Sequence, residues 1–361
     1  MSRVTRTCGV AALFLLAGGL AHLQADHRGA TLAVIMTNDP TANQITVYDA
    51  ATGAVVQTLS ARGKGGAGGN ARGVKSYNGR IFAAVNNGSG TVAIYRRDGN
   101  GLRFDRLVTT TSAPVSIDFA HGHMYVAGAT TVDSFVLQGN SVAWMDGTAD
   151  LELVGGGAPP SGSTAQVGAI NERRLLVTLK TDPDPGTVDV VALQDGTITG
   201  ARPQAVSAPA GTLTPFGFSV YPDGTAVITL AHSNQDGLFR NGAFASVIAA
   251  GQTAPCWTTR VGKYVFTANT GSRTISRVIG TGNNLFVDSP VAATIATGAP
   301  TDIDADAGVL GVIDHAAGQS HLSLFSYNEF GELTASGSPI TVGVANANGV
   351  AIMGPIDRNE D

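Results

Sequence analysis

The chain has 361 residues, 43% of them hydrophobic and 14% charged, with a formal net charge of -5. That balance excludes a disordered chain, which buries too little apolar surface to fold, and it excludes the basic field that draws proteins onto nucleic-acid phosphates. Its 47 glycines follow no three-residue period and sit where one apolar run gives way to the next, so they read as turn residues and not as collagen.

The elements begin with an expected export signal. Arg3 and Arg6 give a positive start, residues 8–20 are apolar, and Gly19, Ala21 and Ala25 offer small residues for cleavage. A membrane span needs about 20 apolar residues, and this run is shorter. Residues 1–25 are therefore read as a signal peptide and 26–361 as one domain, secreted or periplasmic. With Cys8 removed, Cys256 stands alone and no intrachain disulfide can form.

Beyond the signal there is no helical period; short β-branched and aromatic runs alternate with Gly, Asn, Asp and Pro. In chain order, a two-strand unit recurs at 33–49 and at 81–95 (IFAAVNNGSGTVAIY). It continues in degenerate form at 124–137, 175–193 and 226–248, then clearly at 264–276 (YVFTANTGSRTIS), and last at 309–327. Spacings of roughly 40 to 50 residues match one four-stranded propeller blade. Short runs before most copies (115–119, 167–170, 218–221, 257–261 and 303–305) are expected to be inner strands lining a central channel. The first copy lacks one, while 349–353 is left over at the end of the chain. The expected fold is thus all-β, a seven-bladed β-propeller whose C-terminal strand closes the first blade and leaves no open edge. A β-sandwich does not predict seven copies of one motif.

The Asn-x-Gly-Ser-x-Thr units at 86–91 and 269–274, with Pro-Phe-Gly-Phe at 215–218 and Thr-Ala-Pro-Cys-Trp at 253–257, carry a resemblance. The sequence resembles the lactonase-like seven-bladed propeller family, which includes propeller-type 6-phosphogluconolactonases and carboxymuconate-lactonising (cyclase-like) enzymes. The resemblance spans nearly all of the mature chain. It implies His, Arg and acidic side chains around the channel mouth, in His-x-His and Pro-Arg-His segments. This chain departs from that pattern: its only His-x-His is His121-Gly122-His123, and it has no Pro-Arg-His.

His121 and His123 have the chemistry of metal ligands or of an acid-base pair. They fall in an expected turn away from the mouth, however, and are read as solvent-exposed turn residues. His232 and His315 each follow a second strand, and His232, with Ser233, Asn234, Gln235 and Asp236 behind it, is the catalytic candidate. Arg72 is its partner, suited to a carboxylate or phosphate. It follows the glycine-rich run 63–69, which lacks the Gly-Lys-Ser/Thr ending of a phosphate loop and is expected to be a flexible loop over the mouth. The starts of the inner strands bring Ser116, Gln166, Phe216, Trp257, Asp302 and Asn348 around one opening, as ligand-binding residues. Cys256 has no base paired with it in the sequence and reads as a buried thiol beside Trp257. Asp182, Asp184 and Asp189 have calcium chemistry, but Pro183 and Pro185 between them read first as a connecting loop. No metal site is assigned and no cofactor is implied, with a divalent cation left open. The expected partner is a small-molecule ligand in the central channel, bound by a monomer without nucleic acid or a membrane span. Two functions stay open: a hydrolase of a small lactone or sugar lactone, and a non-catalytic secreted propeller that binds a carbohydrate, peptide or surface partner.

Overall fold

The strongest apolar runs become the second strand of each blade. Leu32–Met36, Ile81–Asn86, His123–Gly128 and Tyr264–Asn269 are buried along their whole length, because both faces of such a strand are covered by neighbouring blades. Outer strands such as Val55–Ser60 and Asn284–Thr294 are mostly exposed. The computed structural model describes residues 29–181 and 186–356. The expected signal, Cys8, Asp182 and Asp184 lie outside the described residues.

Among the described residues the strands form seven antiparallel sheets of four or five strands. The innermost strands are Val350–Met353, Val74–Tyr77, Pro114–Ala120, Thr164–Asn171, Pro215–Val220, Pro255–Val261 and Ala299–Asp306. Each touches the next, and the last returns to the first, so the ring is closed. We number the blades in that order. The six inner strands expected from sequence are all present, and Val74–Tyr77 supplies the seventh. Blade 1 is the composite one: Val350–Met353 pairs antiparallel with Leu32–Met36, Val34 opposite Ala351 and Ile35 opposite Val350.

Side chains on the inner strands pin adjacent blades together. Asp302, Asp304 and Asp306 of blade 7 accept the N–H groups of Val350, Ile352 and Gly354 at 3.1, 2.9 and 2.9 Å. Ser116 and Asp118 of blade 3 do the same for Val167 and Ala169 of blade 4, at 3.1 and 2.9 Å. The Gln166 amide both accepts from the Phe218 N–H (2.9 Å) and donates to its carbonyl (2.7 Å). These bonds satisfy backbone groups that face the next blade instead of another strand.

Burial chiefly pushes the Asp302 carboxyl up to about 7, although it accepts two backbone N–H bonds. Unfolded, it titrates near 4, so the folded state holds an extra proton between those values. Stability from this group is fully present below about pH 4 and is lost as pH rises through 7. The urea midpoint should therefore fall between pH 5 and 8, with a shallower fall in Asp302→Asn; parallel curves for the two proteins would refute this.

Candidate functional site

Every second strand runs toward the same face, so the residue just after it lands on a common ring. Ala129, Lys180, Ala231 and Thr270 each send their N–H to the carbonyl just ahead of their own inner strand, that of Ala113, Ser163, Thr214 and Ala254 respectively. Asn38, Asn87 and His315 hold the equivalent places in blades 1, 2 and 7, by register. Only Lys180 and His315 of these seven carry titratable side chains.

The glycine-rich run crosses this mouth as a strap, which is where the sequence placed it, but it is tied down. The Asn38 side chain accepts the N–H groups of Gly66 and Ala67 at 2.8 and 3.0 Å and donates to the Ala67 carbonyl at 2.8 Å. Lys180 Nζ donates to the carbonyls of Gly68, at 2.9 Å, and Gly69. Asn70 is fully buried; its carbonyl accepts from Trp257 Nε1 at 2.8 Å and its Oδ1 accepts from Asn348 Nδ2 at 2.6 Å. With Gly88 and Ser89 of blade 2 bonded to Lys64 and Gly65, and Asn70 Nδ2 donating to the Val115 carbonyl of blade 3, the strap is fastened to blades 1, 2, 3, 4 and 6. Glycine is required where it passes Asn38, since a Cβ on Gly65 would lie under 3.0 Å from the Asn38 backbone.

Between the strap and blades 6, 7 and 1 lies a cavity of about 400 Å³, lined by Asn38, Trp257, Thr301, His315, Asn346 and Asn348 with the strap glycines. His315 Nε2 stands 2.5 Å from the Ala347 carbonyl. A carbonyl only accepts, so Nε2 carries the hydrogen and the neutral ring keeps its lone pair on Nδ1. Asn348 Oδ1 is buried without a hydrogen-bond partner. On the far side of the strap, burial pushes the Lys180 amine down to about 8 and the Cys256 thiol up to about 11, each tempered by the other. Lys180 Nζ also lies 5.6 Å from the Phe216 ring centroid. Below the strap, charges in the bore are paired, Arg72 with Asp118 at 3.8 Å and Lys75 with Asp304 at 3.9 Å.

Of the residues expected at the site, Trp257 and Asn348 line the cavity. Phe216 packs edge-on to Trp257, with centroids 5.3 Å apart. Asp302, Ser116 and Gln166 are buried between blades and use their polar atoms as the pins described above. His232 is exposed on the single turn Ala231–Ser233, at the same face but outside the cavity lining. Lys180 escaped the sequence reading because it stands in no motif; aligning it with His315 by strand register would have found it. His121 is an exposed turn residue with φ of 52°. His123 differs from expectation: it opens a strand, is 7% exposed, and lies 3.0 Å from Asp146. A hydrogen bond to Asp146 on the outermost strand of the same blade, and not solvent, receives it. Among the described residues, no group of three or more His, Cys, Asp or Glu is placed to hold a metal ion, and no helix is long and apolar enough to cross a membrane.

The raised thiol gives a direct check. At pH 8 Cys256 should react with a disulfide reagent about 100-fold more slowly than a free thiol of ordinary pKa, and at the free rate after denaturation. Equal native and denatured rates would contradict the burial.

No protein-family model and no curated protein sequence matches the chain. Solved structures do match. The periplasmic gluconolactonase PpgL of Pseudomonas aeruginosa shares 16% identity, with 90% of this chain and 99% of that one covered and a TM-score of 0.62. A protein provisionally called a 6-phosphogluconolactonase, from Bacteroides uniformis, also shares 16%, with 89% and 99% covered and a TM-score of 0.63. A virginiamycin B lyase from Staphylococcus aureus, solved with quinupristin, shares 14%, with 80% and 92% covered and a TM-score of 0.53. At these identities the likeness is one of fold.

Proposed function

We propose that the chain is an exported lactonase-like propeller that binds a small lactone in the strap-covered cavity at the channel mouth and opens its ring by hydrolysis. The observation that carries this reading is His315, with its lone pair on Nδ1, in the wall of a cavity that also presents Trp257 and several amides. A few polar groups against an apolar wall orient a small ring compound. The Nδ1 lone pair takes a proton from water as its oxygen attacks the lactone carbonyl carbon. The ring C–O bond then breaks, and the leaving alkoxide recovers that proton from the imidazolium. The gluconolactonase among the proteins of this fold supports the reaction class, and fold alone does not fix it.

One observation favours a second reading. A strap fastened to five blades makes a stiff mouth, which suits a non-catalytic receptor for a carbohydrate or peptide. The discriminating experiment screens purified protein against aliphatic and sugar lactones, with and without divalent cations, by acid release, alongside fluorescence titration of Trp257. Catalysed acid release supports the hydrolase; saturable quenching without turnover establishes the receptor.

A further inference from the structure

The repeat places one residue type where it does not belong. The second residue of each third strand faces the following blade, and in blades 1, 2, 3, 4 and 6 it is Ile45, Val92, Val132, Val188 and Ile275, all fully buried. In blade 5 the same register holds Asp236, opposite Thr229, and it is 1% exposed. Neither carboxylate oxygen has a hydrogen-bond partner.

The surface opposite has changed to match. Two residues along, Leu238 packs with Val227 of its own blade and with Val265 and Val278 of blade 6. Strand alternation then puts Asp236 level with the next pair on that face of blade 6, Thr267 and Ser276, with Asn269 one step nearer the mouth. Thr267 and Asn269 are fully buried, and Thr267 Oγ1 and Asn269 Oδ1 are also without partners. The Asn269 amide nitrogen donates to Thr274 and Ser276 on its own sheet, at 3.2 and 3.1 Å. Four unpartnered oxygens thus face one seam between two blades, three of them acceptors only. Such a group is costly unless something fills it.

We infer that the space between blades 5 and 6 binds one monovalent alkali cation, held by the Asp236 carboxylate, Thr267 Oγ1 and Asn269 Oδ1. The oxygen-only donor set selects a hard cation, and one carboxylate balances one positive charge; calcium sites usually collect several carboxylates. Water would satisfy some acceptors but leave the buried charge uncompensated, and burial alone, with no charged neighbour contributing, pushes this carboxyl up to about 7. The site fixes blade 6 near the mouth, because Thr229, the register partner of Asp236, donates to the Cys256 carbonyl at 2.9 Å. It stands independently of the proposed hydrolysis.

Thermal unfolding of the whole protein at pH 8 tests this, in sodium or potassium chloride against N-methylglucamine chloride at equal ionic strength. The midpoint should be about 5 °C higher in the preferred alkali salt. The difference should vanish in Asp236→Asn, shrink in Thr267→Val and persist in Asp189→Asn. Valine already occupies the Thr267 place in blades 3 and 4, as Val126 and Val177, so Thr267→Val keeps the test usable should Asp236→Asn fold poorly. Identical wild-type midpoints in all three salts, or a difference that survives in Asp236→Asn, would overturn the site in favour of water or a proton.

Discussion

Removing residues 348–361 should lower the thermal midpoint by roughly 15 °C or more, or leave the protein insoluble. Val350, Ile352 and Met353 are at most 2% exposed, and burial of each is worth about 1.5–3 kcal/mol. The deletion also strips the N–H donors from Asp302, Asp304 and Asp306. Asp302 would keep only the N–H of Ile303. Leu32–Met36 would become a bare, fully apolar edge, a template for pairing with other chains. Differential scanning calorimetry and light scattering read both consequences. A truncated protein that stays monomeric and melts with the wild type would show that the ring does not depend on its last strand.

The second large effect is on catalysis. Against whichever lactone the screen finds, His315→Ala should lower kcat by about 100-fold or more with little change in KM, because it removes the base and leaves the amide and Trp257 contacts in place. Arg72→Ala and His232→Ala belong in the same series, since the sequence puts both at this mouth and the structure sets Arg72 just below the strap, paired with Asp118, while His121→Ala on the opposite face should do little. Steady-state kinetics at several pH values decides among them. An unchanged kcat in His315→Ala, with loss in His232→Ala, would move the base to the rim of blade 5.

The sequence by itself determined the fold, for a reason visible in particular strands. Second strands such as Ile81–Asn86 and Tyr264–Asn269 are covered on both faces, so they must be apolar throughout, and the turns after them need Asn and Gly. That pattern survives seven repetitions even where the exposed outer strands drift. The leftover run 349–353 had only one place to go, and it went there. The site was legible in part. The glycine-rich run was found at the mouth, with Trp257 and Asn348, because strand order alone carries a residue to one face or the other. Which polar atoms remain for a ligand was a different matter. Ser116, Gln166 and Asp302 sit at the right height, yet the neighbouring blade takes their hydrogen bonds, a choice made by residues some 50 positions away. Lys180, Asn38 and His315 come to one strap only because the ring closes, and Asp236 faces blade 6 only because blades stack. Local spacing fixes which face a side chain takes; blade-to-blade packing fixes what it meets there.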